Sequence, residues 1–471
     1  MPAYFPDATE EEIDECLRKA DNCFNFFRKL EGKRRAEFLF QIAQELESES
    51  KKILAVSEEE TLLGNPRLQV ELARTIAEIG IFANVANSGE WLQTSLQDFG
   101  KSPFITKLSK QNIPLGPVLV IGACNFPLAI SVVGTDTVSA LAVGCPVVVK
   151  AHPDHPKTCQ LLADLVDKAA EKSGMPVDAF QLVHGKNYQI TEKLVLHSKT
   201  ACVAFTGSFL GGSTLSQITS QREYPIPFHA EMGSLNPVVF LPKAVSNNPT
   251  QLAHGYVQAV NLFAGQMCTK PGALFFINSE KDNTLTQLIK ETVRAQDILP
   301  MLNENVYQNY EKSVRFLRDT VPLLATNEQN SHESKNPAFC RIFQISAQEY
   351  IEKPEIRAEA FGPASLVIQC KNENELFSCI DSLEGSLTAS LHCERKEDFL
   401  SRKIIPKLES VTGRLLWNEF PPGVSPGPAT HHGGPWPATT DSRYTSIGKE
   451  AYKRFVRPLC KQGFPENKFQ L

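Results

Sequence analysis

Strand-like and helix-like segments alternate from residue 117 onward, and this alternation constrains the fold more than any other feature of the chain. Short apolar runs end at turn signals and are followed by helical periodicity. The expected strands are 118–122, 146–150, 180–183 and 201–205, and the expected helices are 130–143 and 158–173. Such an order is typical of a parallel, doubly wound sheet, which binds ligands beyond the carboxyl ends of its strands. The predicted fold class is α/β, with a Rossmann-type sheet.

The segments on either side of this alternation have different patterns. From residue 9 to about 90 the apolar residues recur as in amphipathic helices, and Thr9 with Glu12 forms a capping-box pattern at the start. Residues 97–116 alternate polar and apolar side chains, which predicts a hairpin or an exposed strand pair. A second α/β set begins at 237–241, so the boundary between the two sets is placed near 231–236.

The composition is that of an ordinary globular protein and argues against several classes. Hydrophobic residues make up 42% and charged residues 21%, and a net charge of −5 gives no reason to expect nucleic-acid binding. The N-terminus lacks a signal-peptide pattern, and no apolar run reaches the ~18–20 residues of a membrane helix. Twelve cysteines without a C-x-x-C pair favour free thiols. We therefore expect a cytoplasmic protein without a membrane span.

Cys268 is the cysteine whose neighbours are best suited to chemistry. It lies in Gly-Gln-Met-Cys-Thr at 265–269, between a helix-like stretch and a Pro-Gly turn. Upstream, Glu231 lies among small and apolar residues, and Asn125 follows the first strand in Ala-Cys-Asn-Phe-Pro. A thiol can attack an aldehyde, an amide can stabilise the oxyanion, and a carboxylate can activate the water that hydrolyses an acyl-enzyme. These three residue types predict oxidation of an aldehyde through a cysteine thioester.

Several motifs in a fixed order carry a family resemblance. They include Ala-Glu-Met-Gly-Ser-Leu-Asn-Pro-Val at 230–238, the cysteine segment at 265–269, Glu-Ala-Phe-Gly-Pro at 359–363 and His-Gly-Gly-Pro-Trp-Pro-Ala-Thr at 432–439. Over roughly residues 10–465 the chain resembles the aldehyde dehydrogenase superfamily. Within it the chain is most similar to the 2,5-dioxovalerate (α-ketoglutaric semialdehyde) dehydrogenases and bacterial fatty aldehyde dehydrogenases. The resemblance implies a Rossmann-type cofactor domain, an α/β catalytic domain and a small β oligomerisation element.

The resemblance assigns catalytic roles to three residues. Cys268 is implied to be the nucleophile, Asn125 to hold the oxyanion together with a backbone N–H, and Glu231 to activate water. We expect burial to raise the pKa of Glu231. Acylating relatives that transfer the acyl group to coenzyme A generally lack this glutamate, so its presence favours release of the free acid.

Five further positions match cofactor-binding residues of the family. Gly207 permits a tight turn, and Ser208 can cap the following helix, whose N-terminus favours a pyrophosphate. The resemblance implies that Lys150 binds the adenine ribose and that Glu359 binds the nicotinamide ribose. It also implies that Phe361 packs beside the nicotinamide ring.

The expected nucleotide is NADP, with NAD also admitted. Many NAD-preferring relatives carry a glutamate three residues after the lysine, whereas this chain has Lys-Ala-His-Pro at 150–153. Without a carboxylate there, a 2′-phosphate is not repelled. NADP also needs a positive partner, for which His152, Lys186 and Arg222 are candidates.

For four further residues the sequence either leaves the role open or favours a role outside the chemistry of the site. Lys270 either assists ionisation of the nearby Cys268 thiol or points to solvent. His431 and His432 are interpreted as loop histidines, and no metal site is predicted. Arg443 is a candidate partner for the distal carboxylate of a keto-acid semialdehyde.

The expected activity is NAD(P)-dependent oxidation of an aldehyde, such as 2,5-dioxopentanoate or another semialdehyde, to the acid. The alternatives are a long-chain fatty aldehyde dehydrogenase, a coenzyme A-acylating enzyme, a cysteine-dependent hydrolase and a catalytically silent relative. Residues 1–96 and 117–233 are assigned to a nucleotide-binding domain, 234–451 to a catalytic domain, and 97–116 and 452–471 to oligomerisation strands. We expect the tail, residues 452–471, to pair with the hairpin at 97–116 of a neighbouring subunit in a homodimer or homotetramer.

Overall fold

The computed structural model describes residues 5–100, 107–278, 283–333, 335–394, 398–421 and 423–464. Within these ranges the chain forms a five-stranded sheet, a seven-stranded sheet, a three-stranded sheet and a two-stranded pair. Helices alternate with the strands of the two large sheets. The predicted α/β class is confirmed.

The N-terminal half contains eight helices and seven strands in the described ranges. The helices are α1 (Glu10–Phe27), α2 (Gly32–Ser48), α3 (Ser50–Thr61), α4 (Asn65–Ser88), α5 (Thr135–Val143), α6 (Pro156–Ser173), α7 (Tyr188–Leu196) and α8 (Phe209–Ser220). The strands are β1 (Ser95–Asp98), β2 (Lys107–Pro114), β3 (Val118–Ile121), β4 (Val147–Lys150), β5 (Phe180–Val183), β6 (Cys202–Thr206) and β7 (Phe228–Glu231). The capping box of Thr9 and Glu12 is present at the start of α1.

The five-stranded sheet places the ends of its central strands beside the candidate site. Its order is β5-β4-β3-β6-β7, and all of its pairs are parallel. The chain winds outward from β3 in both directions, so the topological switch lies between β3 and β6. Asn125 follows the carboxyl end of β3, and Gly207 follows that of β6. Both residues therefore lie at the crevice where such sheets bind ligands.

The predicted helix 130–143 begins only at Thr135, so its first residues were assigned wrongly. Residues 126–134 form a largely buried irregular segment instead. In it the backbone N–H groups of Leu128 and Ala129 donate to Oε1 of Glu71, on α4, at 2.7 and 3.0 Å. A carboxylate from another helix thus satisfies buried donors that a helical turn would otherwise satisfy. The apolar pattern reflected burial of the segment and not its conformation.

The C-terminal half contains the seven-stranded sheet. Its helices are α9 (Pro242–Asn247), α10 (Pro249–Asn261), α11 (Thr284–Arg294), α12 (Glu304–Thr320), α13 (Ala347–Glu352), α14 (Glu373–Asp381) and α15 (Asp398–Val411). The strands are β8 (Pro237–Phe240), β9 (Ala273–Ile277), β10 (Leu299–Pro300), β11 (Leu323–Thr326), β12 (Pro337–Ala338), β13 (Arg341–Ser346), β14 (Ala364–Cys370), β15 (Ser386–His392), β16 (Thr412–Trp417) and β17 (Val456–Gln462). The sheet order is β11-β13-β14-β9-β8-β15-β16, with β11 antiparallel to its neighbour.

The hairpin and the tail form one small sheet, in the order β1-β2-β17. β17 pairs antiparallel with β2 of the same chain, with Leu459 opposite Gln111. The expectation that the tail pairs with a neighbour's hairpin is therefore wrong. Tyr452 and Phe455 are buried in the core of the first α/β unit, which delivers the tail directly beside β2. Residues 101–106, which fall within the predicted hairpin at 97–116, and residues 465–471 of the tail lie outside the described residues.

All twelve cysteines lie in described segments, and each is a free thiol, as predicted. Eight of the eleven other than Cys268 are buried, in agreement with their interpretation as small core residues. Cys16 and Cys124 are half-buried and Cys460 is exposed, so that interpretation fails for these three. Among the helices described here, none has both the length and the apolar character needed to cross a bilayer.

Candidate active site

A left-handed turn delivers Cys268 to the end of the second sheet. After α10, Phe263, Ala264 and Gly265 all have positive φ, at 52°, 57° and 65°. Such a conformation is costly for residues with a side chain and occurs mainly where the surroundings enforce it. A Cβ on Gly265 would collide with the backbone of Gly362. The cysteine loop is thus pressed directly against the 359–363 segment.

Asn236 fixes the backbone on both sides of the nucleophile. Its Nδ2 donates to the carbonyl oxygens of Cys268 and Lys270, at 2.8 and 3.0 Å. Its Oδ1 accepts from the backbone N–H of Thr388, at 3.2 Å, and from the Thr388 hydroxyl, at 2.9 Å. Asn236 is fully buried and has a φ of 50°, a conformation that asparagine tolerates better than most residues. The motif at 230–238 therefore holds the cysteine segment on β15.

Cys268, His432 and Glu231 form one cluster. Nε2 of His432 lies 3.3 Å from Sγ of Cys268 and 3.0 Å from Oε1 of Glu231. The Ser446 hydroxyl donates to the other carboxylate oxygen of Glu231. A β-bridge between Glu231 and Thr439 brings the 432–439 segment beside β7. The structure thus brings the expected thiol and carboxylate together and places an imidazole between them.

His432 is the residue of this cluster that sequence reasoning missed. It was interpreted as an ordinary loop histidine, yet its side chain is only 1% exposed. Its backbone N–H donates to the Thr445 hydroxyl at 2.8 Å, which fixes the start of the 432–439 segment. Its place at the start of a motif that carries the family resemblance was the only signal, and that motif does not reveal which residues lie beside the histidine. The fold closes a gap of 201 residues between His432 and Glu231.

The electrostatics of the cluster differ from expectation for Glu231. Burial acts to raise the pKa of this carboxyl, but attraction to His432 and hydrogen bonds from His432, Ser446 and Cys268 outweigh it, so the pKa is lowered. The expected raised pKa is therefore wrong. Burial, followed by the negative charge of Glu231, raises the pKa of the Cys268 thiol well above its usual value. The site holds a thiol and a carboxylate, with an imidazole placed to carry a proton between them.

Lys270 was expected either to assist ionisation of the Cys268 thiol or to point to solvent, and neither expectation describes its position. Its side chain is buried, at 1% exposure, and its Nζ donates to the carbonyl oxygen of Ala364 at 2.7 Å. Burial lowers the pKa of Lys270, and the charge of Glu359 opposes that shift. Burial likewise raises the pKa of Glu359, and the charge of Lys270 opposes it. Lys270 thus supports the 359–363 segment electrostatically and neither reaches solvent nor serves the thiol.

Asn125 lies beside the cysteine loop, as its expected role requires. Its Nδ2 donates to the carbonyl oxygen of Gln266 at 3.1 Å, two residues before Cys268. Its own backbone carbonyl accepts from the guanidinium of Arg67. Asn125 is buried, at 6% exposure. Since a side-chain amide has two N–H bonds, one remains for an oxyanion.

Three of the five expected cofactor residues, Lys150, Gly207 and Ser208, lie at the carboxyl edge of the first sheet. Lys150 ends β4 and is buried, at 8% exposure. The Ser208 hydroxyl caps α8 by accepting from the Gly211 N–H at 3.2 Å, and the N–H of Gly207 donates to the carbonyl oxygen of Glu231 at 3.0 Å. A helix N-terminus after β6 and a buried cation at the end of β4, on either side of β3, suit a pyrophosphate and a ribose.

Glu359 approaches the first sheet through a gap left by a glycine. A Cβ on Gly233 would lie 2.5 Å from Oε2 of Glu359. Phe361 follows two residues later in the same segment, which Gly265 packs against. The motifs at 230–238, 265–269 and 359–363 therefore meet in space, with the carboxylate of Glu359 at their junction.

Only one of the three candidate partners for a 2′-phosphate remains suitable. Burial lowers the pKa of His152 to about 3, so its imidazole is neutral near pH 7. The guanidinium of Arg222 donates to backbone carbonyls of the α7 end and the following turn, namely those of Val195, His197 and Thr200. Lys186 lines a pocket next to the end of β4 together with His184, on whose ring Phe5 stacks.

The substrate side contains a cation that sequence reasoning overlooked. The expected candidate, Arg443, is paired with Asp441 at 2.6 Å and is largely exposed. Burial lowers the pKa of Arg414, and the charges of Cys268 and Glu419 oppose that shift. Its guanidinium donates to the carbonyl oxygens of Pro421 and Gly423, at 2.7 and 2.9 Å, and so braces the Pro- and Gly-rich loop.

The chain is similar to known proteins along most of its length. A model described as the aldehyde dehydrogenase family matches residues 2–435. The alpha-ketoglutaric semialdehyde dehydrogenase 2 of Azospirillum brasilense is 36% identical over 468 residues, which cover 98% of this chain and 89% of the relative. The alpha-ketoglutaric semialdehyde dehydrogenase of Acinetobacter baylyi is 35% identical over 463 residues, 97% of this chain and 88% of the relative.

A solved structure with low sequence identity shares the fold. The glyceraldehyde-3-phosphate dehydrogenase of Methanocaldococcus jannaschii, complexed with NADP, superposes with a TM-score of 0.81 at 18% identity. The superposition covers 98% of this chain and 96% of the other.

Proposed function

This chain belongs to the aldehyde dehydrogenase family, and we propose that its substrate is α-ketoglutaric semialdehyde (2,5-dioxopentanoate), oxidised to 2-oxoglutarate with NADP. The family makes the chain an NAD(P)-dependent enzyme that oxidises aldehydes. Its curated relatives favour this activity over the fatty-aldehyde, acylating and silent alternatives. The relatives carry the proposed substrate, and the observation that carries the proposed thioester chemistry is the contact of His432 with both Cys268 and Glu231.

Cys268 is the proposed nucleophile and His432 its base. Because burial and Glu231 raise the pKa of the thiol, a free thiolate is scarce and the proton must leave as the sulfur attacks. In the tautomer that leaves Nε2 of His432 without a proton, this atom, 3.3 Å from the sulfur, is placed to receive the thiol proton. The new C–S bond leaves a thiohemiacetal oxyanion, which the free N–H of Asn125 is proposed to stabilise.

A nicotinamide nucleotide, when bound, would supply the hydride acceptor that oxidation of the thiohemiacetal on Cys268 to a thioester requires. Lys150 is proposed to bind the adenine ribose, and the α8 N-terminus with Gly207 and Ser208 to bind the pyrophosphate. Glu359 is proposed to bind the nicotinamide ribose beside Phe361. The carboxylate of Glu359 is buried and lies at the junction of the three motifs, which supports this role.

Glu231 is proposed to activate the water that hydrolyses the thioester. His432 and Ser446 lower its pKa, so the carboxyl is ionised and able to accept a proton. Water adds to the acyl carbon, the C–S bond breaks, and the sulfur regains its proton from His432. A base within reach of the acyl-cysteine favours hydrolysis over transfer to coenzyme A.

Arg414 is the proposed partner for the carboxylate of the semialdehyde. Its charge acts on Cys268, and its residue is only partly exposed, so a bound carboxylate would be shielded from water. The Arg443 candidate is already paired with Asp441 at the surface. A neutral aldehyde of similar length would gain nothing from Arg414, which gives this enzyme its preference for an acidic substrate.

Lys186 is the proposed partner for the 2′-phosphate of NADP. It lines the pocket at the end of β4, where no glutamate follows Lys150 at the position that NAD-preferring relatives use. Asp7 lines the same pocket, and its Oδ1 accepts from the backbone N–H of Lys186 at 2.6 Å. The Lys186→Ala substitution should therefore lower kcat/KM for NADP selectively, while Asp7→Asn should raise it.

Each proposed domain, and the proposed contact between subunits, corresponds to one sheet of the fold. We assign residues 1–96 and 117–233 to nucleotide binding and 234–451 to catalysis, since each range supplies one large sheet. The three-stranded sheet of β1, β2 and β17 is proposed to mediate a homodimer or homotetramer. All four residues of β1 are exposed, so this sheet offers a surface for another subunit.

The proposed substrate is tested with a panel of aldehydes and purified protein. NADPH and NADH formation would be followed with 2,5-dioxopentanoate, succinic semialdehyde and neutral aldehydes of matched length. Arg414→Gln should raise KM for the acidic substrates by about 10–100-fold, the loss expected for a charge-assisted pair, and leave neutral ones unchanged. Arg443→Gln is the matched control. Equal losses for neutral and acidic aldehydes would remove Arg414 from substrate recognition.

A further inference from the structure

Three different metal-ligating groups converge in the active site. A carboxylate oxygen of Glu231, Sγ of Cys268 and Nε2 of His432 all lie within 4.8 Å of one another. Thiolate, imidazole and carboxylate are the ligands that Zn²⁺ uses in proteins, whereas Mg²⁺ and Ca²⁺ prefer sites built from oxygen alone. The combination therefore points to a borderline-soft divalent cation.

The spacing of the donor atoms is close to that of a tetrahedral site. With the usual zinc–ligand bond lengths, tetrahedral angles place sulfur and nitrogen about 3.6 Å apart, and nitrogen and oxygen about 3.3 Å apart. The observed separations are 3.3 Å from Cys268 to His432 and 3.0 Å from His432 to Glu231. Each of these two distances must increase by about 0.3 Å to admit the ion, which is a side-chain adjustment.

The three side chains leave the fourth position of a tetrahedral site to another ligand. Glu231 and His432 are buried, and Cys268 is half-buried, so the site is reachable from the side of Cys268. Three protein ligands with one open position are typical of accessible zinc sites, while structural sites are closed by four ligands. A water or a small anion would complete the coordination.

We propose that Glu231, Cys268 and His432 form a zinc-binding site that reversibly blocks the nucleophile. Zn²⁺ bonds to the sulfur, nitrogen and oxygen atoms, the Cys268 S–H proton is released to solvent, and no group is oxidised or reduced. The same three side chains are proposed to carry the reaction, so metal binding and turnover exclude one another. The metal site does not depend on which aldehyde the enzyme uses.

A second group of donors in the described residues shares no side chain with this cluster. Cys124, His152 and Asp154 also lie within 4.8 Å of one another. The carboxylate of Asp154 accepts from Asn303 at 2.9 Å, and Nδ1 of His152 accepts from the backbone N–H of Asp154 at 3.2 Å. Because Cys268 is not among its members, this group supplies the internal control.

Binding is tested on the purified full chain with Co²⁺ as a spectroscopic probe and with Zn²⁺ by calorimetry. We expect a thiolate-to-cobalt charge-transfer band that Zn²⁺ removes, with one ion per chain. Cys268→Ser should abolish the band, and His432→Gln or Glu231→Gln should raise Kd for Zn²⁺ by more than the 10–100-fold typical of lost outer-shell partners. Cys124→Ser should leave the band and the Kd unchanged. Loss of the band in Cys124→Ser, or its persistence in Cys268→Ser, would overturn the proposal.

A measurement on the unmodified chain guards against variants that do not fold. Zn²⁺ should protect Cys268 from alkylation by iodoacetamide, and a chelator should restore the reaction, while the exposed Cys460 reacts equally in both states. Mg²⁺ should give no protection. Zn²⁺ should also inhibit competitively with the aldehyde. Unchanged alkylation of Cys268 in the presence of excess Zn²⁺ would contradict the proposed site.

Discussion

At the scale of single residues, His432 stands out because its side chain contacts both Cys268 and Glu231. Its Nε2 faces a thiol whose pKa is raised by burial and by Glu231, and it also faces that carboxylate. In the proposed mechanism one imidazole atom serves both the attack and the return of the proton. This arrangement could not be derived from sequence, because a histidine in a Pro- and Gly-rich loop has no periodicity that reports its neighbours.

Replacing His432 by Gln should lower kcat by about 10²–10⁴-fold, the usual contribution of a general base. The rate of the variant should rise with pH as the thiolate forms unaided, because the pKa of Cys268 is raised. The measurement is the pH profile of kcat/KM. His431→Gln is the control, since this neighbour does not contact Cys268 in the described structure. A variant with normal kcat near pH 7 would contradict the base role.

Asn236→Ala should displace the cysteine segment. The substitution removes two hydrogen bonds to the carbonyl oxygens of Cys268 and Lys270 and leaves both unpaired in a buried site. We expect a loss of about 1–3 kcal/mol in the free energy of unfolding and a lower kcat. Denaturation and steady-state kinetics measure these effects. If stability falls while kcat and the alkylation rate of Cys268 stay unchanged, Asn236 does not position the nucleophile.

Lys270→Met should change the pH dependence of nucleotide binding. The charge of Lys270 opposes the upward shift that burial imposes on the pKa of Glu359, so its removal should raise that pKa further. Below this pKa the carboxyl is protonated and cannot accept from both ribose hydroxyls. As the pH is lowered, the KM for NADP should therefore begin to rise at a higher pH than it does in the unmodified enzyme. An unshifted profile would separate Glu359 from nucleotide binding.

At the scale of elements, close backbone approaches explain why the motifs occur together. Gly265 packs on Gly362, and Gly233 leaves room for Glu359. The strand and helix alternation was predictable because its periodicity is local, and β3, β4, β5 and β6 lie within a residue of their expected bounds. The start of α5 and the partner of β17 were assigned wrongly, because Glu71 and the core that buries Phe455 belong to distant parts of the chain.

The contact between α2 and α6 should respond to pH. Glu45 on α2 is buried and pairs with Lys168 and Lys172 on α6, at 2.8 and 2.5 Å. Burial acts to raise the pKa of Glu45, but the two lysines and Gln41 lower it to about 2. The pKa is depressed in the folded state, so its stabilisation is present above the ordinary carboxyl pKa and is lost as pH falls toward 2.

Glu45→Gln should therefore destabilise the protein by about 1–2 kcal/mol at pH 7, after allowance for the exposed lysine ends. The difference from the unmodified chain should shrink as the pH is lowered through the acid range. Urea denaturation at several pH values measures it. Glu47→Gln, on the same helix, is the control. A difference that does not depend on pH would contradict the ion-pair origin.

At the scale of the whole molecule, the active site is assembled from segments that neither large sheet contains alone. Asn125 follows β3 and Glu231 ends β7, both in the first sheet. Cys268 precedes β9 of the second sheet, and His432 lies in the loop after β16. The family resemblance identified the first three residues from their motifs. The fourth required the fold, because a β-bridge from Glu231 to Thr439 brings its segment into place.

The most direct measurement is a rapid-mixing experiment with Glu231→Gln, 2,5-dioxopentanoate and NADP. Cys268 should still attack and the thioester should form, but its hydrolysis should be slow. We expect a burst of NADPH equal to the concentration of active sites, then slow turnover, with an acyl group on Cys268 found by mass spectrometry after acid quench. An unchanged steady-state rate, or a burst without an acyl group on Cys268, would contradict the thioester mechanism.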